Sequence, residues 1–218
     1  MDSDLFFIVD NMGDDAMVVN AARVSMGRRI DTMSDADVRL LNYLARNGHK
    51  SPFYHPQISA HVRVPIFVAR QWMRHHVGMT YNEISGRYVD FSGQDTWHPD
   101  VWRKGAENVK QGSAGVVSQD IAAHAYEAYF IGTTAAIRAY NTLIAVGVCR
   151  EQARAVLPLG TFTEYMCTGS LYAWFNFWRE RSAPDAQHEI REYAETVGAS
   201  LSTLYPHSWK ALKDACTV

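Results

Sequence analysis

Gln57-Ile58-Ser59-Ala60-His61-Val62-Arg63-Val64 alternates without a break, with Ile58, Ala60, Val62 and Val64 on one side and Gln57, Ser59, His61 and Arg63 on the other. A period of two belongs to a β-strand with one face in a core and the other polar. Pro65 follows; its fixed φ and missing N–H suit the first position of a helix. Phe67, Val68, Gln71, Trp72 and Arg74 then continue that helix. A half-buried strand turning directly into a helix implies a small sheet with helices packed on it.

The rest of the chain extends this pattern in both directions. Towards the N-terminus, Leu5 to Val9 reads as a short strand, and Asp14 to Arg23 as a helix with Ala16, Val19 and Val24 near one face. Ser34 is placed to cap a helix whose first turn holds Asp35 and Asp37. Leu40, Leu41, Leu44 and Ala45 repeat at helical spacing, and Gly48 sits where a C-terminal cap belongs. Towards the C-terminus, Gly78 to Ser92 has no clear period and reads as a loop or short irregular element. Asp120 to Val146 is a long Ala-rich helix with Ile121, Ala125, Ala128, Ile131 and Ala135 along one face. Glu151 to Val156 is a short helix that Pro158 ends. Thr161 to Cys167 is a second strand, Leu171 to Trp178 an aromatic-rich helix, and Asp185 to Leu204 a final amphipathic helix. No internal repeat and no linker rich in Pro, Gly or Ser interrupts the chain, so residues 1–218 read as one domain. The expected class is α+β, long helices around a small, mostly antiparallel sheet.

Composition narrows the function. With 47% hydrophobic residues the chain is not disordered, and a formal net charge of −2 is unsuited to coating nucleic acid. No apolar run reaches the ~18 residues of a membrane helix. The acidic opening Met1-Asp2-Ser3-Asp4 lacks the basic region of a signal peptide. Cys149, Cys167 and Cys216 are too few and too scattered for a disulfide framework or a CxxC site. The chain therefore reads as cytoplasmic, with a buried structural thiol a better reading of Cys149 or Cys167 than a nucleophile. Sixteen arginines stand against five lysines. Codon usage accounts for such a bias as well as planar, two-pronged recognition of phosphate or carboxylate does.

The densest polar cluster is Gln71-Trp72-Met73-Arg74-His75-His76 followed by Thr80-Tyr81-Asn82-Glu83-Ile84-Ser85-Gly86-Arg87-Tyr88. On a helix Arg70 and Arg74 share a face, with Gln71 and Arg74 neighbours. Ser85, the Gly86 backbone and Arg87 can hold a phosphate while Asn82 and Glu83 address a sugar or base. The other reading is a helix end whose charges pair among themselves, for example Glu83 with Arg87. His55, His61, His75 and His76 lie close in sequence, but no HExxH and no i,i+4 histidine pair occurs, so no metal is expected. No Gly-rich dinucleotide or P-loop turn is present. Trp72 or Tyr88 could stack on a flat ligand, although core packing is the commoner fate of such rings.

Several ordered blocks resemble the flavin-dependent thymidylate synthases, the thymidylate synthase-complementing protein family. They are Ala22-Arg23-Val24-Ser25, Asn47 to His55, Pro65 to Trp72, Asn82 to Tyr88, Gly147 to Arg154, Val156-Leu157-Pro158-Leu159 and, more loosely, Asn176 through Arg181 to Gln187 and Glu189. The resemblance covers about residues 20 to 195, in the family's order and near its spacing. It implies conversion of dUMP to dTMP with 5,10-methylenetetrahydrofolate as one-carbon donor and NADPH as reductant through FAD, without a cysteine nucleophile. It also implies a homotetramer with sites built at subunit interfaces. By resemblance Gln71, Arg74, Glu83, Ser85, Gly86, Arg87, Arg154 and Arg181 contact dUMP, and Arg181, the expected catalytic residue, lies at the base. Ser25, Ser51, Arg74, His75, His76, Glu83, Ser170, Tyr172 and Asn176 fall at positions that contact FAD. The chain departs from the family where Arg74-His75-His76 stands for Arg-His-Arg, with one additional residue before Ser85. Ser170 and Tyr172 replace an Asn and an Arg, and Asp185 stands where a His is common. Two alternatives stay open: another modification of a pyrimidine nucleotide, such as hydroxymethylation, and a nucleotide-binding homologue without catalysis. The expected partners are small molecules and further copies of the chain, with neither nucleic acid nor membrane among them.

Overall fold

The computed structural model describes residues 5–107 and 112–216. In chain order its elements are β1 (Phe6–Met12), α1 (Asp15–Arg23), α2 (Asp35–Arg46), β2 (Gln57–Pro65), α3 (Ile66–Trp72), β3 (Met79–Glu83), β4 (Arg103–Gly105) and β5 (Ser113–Val116), then α4 (Gln119–Ala145), α5 (Arg150–Ala153), β6 (Phe162–Ser170), α6 (Leu171–Arg181), α7 (His188–Leu204) and α8 (Pro206–Cys216). Four strands form a sheet in the order β1-β2-β6-β3, and β4 pairs with β5 in a separate two-stranded sheet. β1 runs antiparallel to β2, Phe6 opposite Val62 and Met12 opposite Gln57, with an irregularity between Ile8 and Asp10. The class is α+β, as expected. The chain divides into two compact units, residues 1–62, 72–82 and 166–218 in the first and 63–71 and 83–165 in the second.

The first unit is held by an aromatic core. β2 buries Ile58, Ala60 and Val62 and turns Ser59 and His61 outward, as its alternation requires. Trp72 is fully buried, stacked on Phe177 with centroids 4.1 Å apart and meeting Trp174 edge-on at 6.3 Å. The Trp174 indole N–H donates to the Ile58 carbonyl at 3.1 Å, which satisfies its one polar atom. Trp178 packs where Gly198 leaves room: a Cβ there would stand 2.6 Å from the indole nitrogen.

Helix ends in this unit are satisfied by local and distant partners, of which the sequence marked those at Ser34 and Gly48. Asp14 caps α1 by accepting from the Met17 N–H. Asp37 accepts the Ser34 N–H at 2.9 Å and its hydroxyl at 2.5 Å, and also pairs with Arg23 of α1. The Ser34 hydroxyl bond, with Arg23 assisting and burial opposing, holds the Asp37 carboxyl below the usual carboxylate range. Gly48, at φ +68°, ends α2 in the left-handed region that favours glycine. The buried carboxylate of Asp15 reaches across the sequence to α8, accepting the N–H groups of His207 and Ser208 at 2.9 and 2.8 Å.

The second unit packs Phe91, Tyr140 and Ala153 with Ile84, Leu143, Ile144, Val148 and Leu157. The Tyr140 hydroxyl accepts the Phe91 N–H at 3.0 Å and donates to Asp90 at 3.2 Å. Arg63 lies over the Phe162 ring and pairs with Asp95.

Several expectations fail for identifiable reasons. Pro65 closes β2 instead of opening α3, and α3 stops at Trp72, so Arg74 shares no helix face with Arg70. Part of the expected loop from 78 to 92 is β3, whose short run lacks strict alternation. α8, β4 and β5 have no counterpart in the sequence reading. Val24 lies beyond α1 and is exposed. On α4, Ile121 and Ile131 remain 54% and 60% exposed, while Thr133 and Tyr140 are buried. The buried stripe of that helix is carried by residues with hydroxyl tips, which an apolar count passes over.

The long-range cap of α8 is testable. Asp15→Ala leaves two backbone donors without their acceptor and is expected to cost about 2–3 kcal/mol. A urea midpoint unchanged from the parent would show that the cap contributes nothing.

Candidate functional site

The expected site residues fall in both units, each of which assembles its own set. In the first unit the buried Trp72 ends α3 and the chain turns through Met73 and Arg74, the His75 N–H bonding back to the Trp72 carbonyl at 3.0 Å. Gly78, at φ +74°, then turns the chain into β3. The Tyr81 hydroxyl donates to the His75 carbonyl at 2.7 Å, and the His75 ring meets Phe177 edge-on at 5.2 Å. This places His75 Nε2 to accept the Nε–H of Arg181, in the last turn of α6, at 2.8 Å. With Nε2 accepting, the neutral imidazole carries its proton on Nδ1. Burial, and then the charge of Arg181, push His75 down to about 4. Arg181 is also lowered, by burial first and by like charge on Arg74, with Glu180 opposing. Glu180 pairs with Arg179 at 2.9 Å. His76 is exposed, with Nδ1 3.0 Å from the Arg74 carbonyl.

The remaining first-unit candidates are spread over several elements. Ser25 is exposed and donates to the Ala22 carbonyl, and Ser51 is exposed at the start of a single helical turn, Ser51–Tyr54. Ser170 caps α6, its buried hydroxyl accepting from the Ala173 N–H at 3.2 Å. Tyr172 is buried, with Lys50 Nζ 5.4 Å from its ring centre and Tyr54 edge-on to it. Asn176 is half-buried on α6. Trp72 is core, whereas Tyr88 is exposed.

In the second unit a turn from Ser85 to Val89 is closed by the Tyr88 and Val89 N–H groups on the Ser85 carbonyl, and the Ser85 hydroxyl accepts the Arg87 N–H. Gly86 is buried so closely that a Cβ would lie 3.3 Å from Arg154 Cδ and 3.4 Å from the Phe91 ring. Only a hydrogen fits comfortably, and the backbone of the turn rests directly on the Arg154 side chain. Arg87 Nε pairs with Glu151 at 2.6 Å, both side chains about half exposed. Glu83 accepts from Thr163 Oγ1 at 2.6 Å. The expected pairing of Glu83 with Arg87 is thus replaced by two other contacts. Neither Thr163 nor Glu151 was among the candidates; their signal was position, Glu151 one turn before Arg154 and Thr163 within a predicted strand. Gln71 is half-buried on α3.

The chemistry of each set is limited by its donors. Ser85, the Gly86 backbone, Arg87 and Arg154 carry a hydroxyl, an amide and two guanidinium groups, donor types that can hold a phosphate. An exposed pair such as Arg87–Glu151 contributes only about 0–1 kcal/mol, so an entering dianion can replace the carboxylate. In the first unit Arg74 and Arg181 concentrate positive charge beside a neutral imidazole. Among the described residues no group of three His, Cys, Asp or Glu side chains could hold a metal. Cys167 is buried and its thiol is pushed up to about 12 by that burial, which makes it inert; Cys149, contrary to the burial considered for it, is exposed.

Known proteins match this chain along nearly its whole length. A profile of the family described as "Thymidylate synthase complementing protein" matches residues 7–207. A flavin-dependent thymidylate synthase from Thermus thermophilus is 39% identical over 214 residues, covering 98% of this chain and 77% of that protein. One from Thermosipho africanus is 36% identical, covering 97% and 91%. Among solved structures, a UMP/dUMP methylase, PolB from Streptomyces cacaoi, bound with 5-Br dUMP, superimposes with a TM-score of 0.86 at 29% identity, covering 96% of this chain and 94% of that one. The same methylase bound with 5-Br UMP gives 0.85.

The depressed His75 has a consequence for stability. Its imidazole protonates near 6.5 in the unfolded chain and near 4 in the folded one. The unfolded state therefore takes up the proton first, and stability falls as pH drops from about 6.5 towards 4. Partial exposure of the ring reduces the loss below what the full shift would give. Urea midpoints at about pH 7 and pH 5 should show a smaller acid decline for His75→Gln than for the parent. Equal declines would assign the effect to other groups.

Proposed function

Because the chain belongs to the thymidylate synthase complementing protein family, we propose that it methylates dUMP to dTMP, taking the one-carbon unit from 5,10-methylenetetrahydrofolate and reducing equivalents from NADPH through FAD. As a member of that family it is a flavin-dependent methyltransferase. The observation that carries the substrate assignment is the turn in which Gly86 rests on Arg154 between Ser85 and Arg87. It offers a nucleotide phosphate several donors and a displaceable carboxylate, Glu151. The family resemblance adds Gln71, Arg74 and Glu83 to the proposed nucleotide contacts and assigns Arg181 to the uracil, the contributing residues not having to come from one protomer. A fixed cation there favours negative charge developing on the ring as it reacts, without waiting for solvent to reorganise.

The donor set of the first unit fits a flavin dinucleotide. Arg74, His76 and Ser51 are exposed, and the two cationic or titratable side chains suit a diphosphate. By the family resemblance we assign FAD to Ser25, Ser51, Arg74, His75, His76 and Asn176 of the first unit and to Glu83 of the second, without requiring that they come from one protomer. Ser170, with its hydroxyl engaged in capping α6, and the buried Tyr172 then shape the wall of the site. When bound, the flavin supplies the redox chemistry, and the protein supplies orientation and electrostatics. The proposed assembly is a homotetramer in the cytoplasm, with sites drawing on more than one protomer; the exposed Ile121, Phe130 and Ile131 on α4 support self-association. Among the described residues no helix is long and apolar enough to cross a membrane.

A second reading, that UMP is also a substrate, is favoured by the structural neighbour crystallised with both 5-Br dUMP and 5-Br UMP. Product analysis with dUMP or UMP, methylenetetrahydrofolate and NADPH decides between them. The expected result is dTMP from dUMP; a hydroxymethylated product, or no product, would overturn the proposal. Arg181→Ala should lower kcat by about 10²-fold or more while the urea midpoint changes little. His76→Arg, which restores a permanent charge, should increase the fraction of flavin retained through purification. Unchanged retention would remove His76 from the phosphate-facing set.

A further inference from the structure

Arg181 is a long side chain at the end of a helix, and its usefulness to a reacting base depends on where its planar fork points. Two arrangements can hold such a fork. A carboxylate orients it and adds a negative charge, whereas a neutral acceptor orients it and adds none. Here the Nε–H of Arg181 donates to Nε2 of His75 at 2.8 Å. The acceptor is itself fixed at both backbone groups, its N–H on the Trp72 carbonyl and its carbonyl on the Tyr81 hydroxyl. The His75 ring leans edge-on against Phe177, one turn before Arg181 on the same face of α6. The helix that carries the guanidinium thus also carries the surface that orients its partner.

We propose that His75 is a positioning residue for Arg181: as an uncharged acceptor at Nε2 it fixes the rotation of the guanidinium through Nε and leaves the positive charge for the pyrimidine base. The inference rests on the reading that Arg181 serves the base of dUMP. Burial and the nearness of Arg181 both disfavour protonation of His75, which agrees with an acceptor role at neutral pH. With Nε2 engaged, the ring's one N–H, at Nδ1, remains for an acceptor on a ligand. One imidazole can therefore orient the arginine and still contact the flavin.

Three substitutions separate geometry from charge. His75→Gln places an amide oxygen near Nε2, His75→Glu offers an acceptor that is negative, and His75→Leu offers none. With rates referred to flavin-loaded enzyme, His75→Gln should retain at least about fivefold more kcat than His75→Leu. His75→Leu should lose about 10- to 100-fold in kcat, with KM for dUMP changed much less. His75→Glu should lose at least as much as His75→Leu, despite keeping the hydrogen bond. Parent-like kcat in His75→Leu or His75→Glu overturns the proposal, and so does a His75→Gln variant as slow as His75→Leu. A measurement without substrate tests the contact directly. In ¹⁵N-histidine-labelled protein, the His75 signal, assigned by its loss in His75→Gln, should report an unprotonated Nε2 at neutral pH. That signal should move in Arg181→Lys, which has no Nε–H. A protonated Nε2, or a resonance indifferent to Arg181→Lys, overturns the proposal whether or not the parent makes dTMP. Absence of dTMP from the parent, with the spectrum as expected, would instead remove the assigned reaction and leave the contact standing.

Discussion

The burial of Trp72 is the constraint on which the first-unit site depends. Its ring is stacked on Phe177 and touched edge-on by Trp174 and Tyr193, with Phe6 also alongside. An aromatic core residue of this kind typically contributes several kcal/mol. Such an anchor allows little slippage by a residue in either direction. The helix therefore stops where the indole is seated, and beyond Met73 the residues Arg74, His75 and His76 follow in a fixed order, with Arg74 and His76 exposed and His75 half-buried. The same ring partner, Phe177, sits one turn before Arg181. Hydrophobic packing thus places the cations, and the electrostatics follow from that placement.

Each of the two residue sets is electropositive by local concentration, since the chain as a whole is close to neutral. The two sets hold their charge differently. In the second unit Arg87 is already paired, with Glu151, and its interaction with a ligand is an exchange of one anion for another. In the first unit Arg181 bonds to an imidazole that adds no charge. Under the proposed function, the first arrangement suits a phosphate that must bind and leave, and the second a charge required only while bonds at the base are changing. Of the sixteen arginines, Arg74, Arg87, Arg154 and Arg181 have such assignments. Arg23 and Arg63 pair within the fold, with Asp37 and Asp95.

Much of the architecture was legible in the sequence because it rests on local rules. The alternation from Gln57 to Val64, the Ser34 cap and the glycine after α2 each depend on neighbours a few residues away, and each appears as expected. What stayed hidden depends on distant residues. β3 is ordered within a sheet although its own alternation is weak, and the start of α8 is capped by a carboxylate 193 residues earlier. α4 buries tyrosine and threonine because their hydroxyls find carbonyl, carboxylate or N–H partners, as Tyr129 does on the Trp97 carbonyl. At the site, residue types were visible and pairings were not: Glu83 and Arg87 are four apart, yet Thr163 and Glu151 take them. The bond from Arg181 to His75 spans 106 positions, and no spacing rule reaches that far.

The first unit is assembled from three separated stretches, with α8 packed on α2 and anchored by Asp15 of α1. Synthesis proceeds from the N-terminus, so β1, α1, α2 and most of β2 emerge while their covering helices are still unmade. At 5–20 residues per second the remaining chain takes roughly ten to thirty seconds to follow. Throughout that interval α1 and α2, which carry the fully buried Val18, Val19 and Leu41, lack their contacts with α8. The nascent chain must therefore be kept from self-association, by chaperones or by its own early collapse, until the last helix arrives.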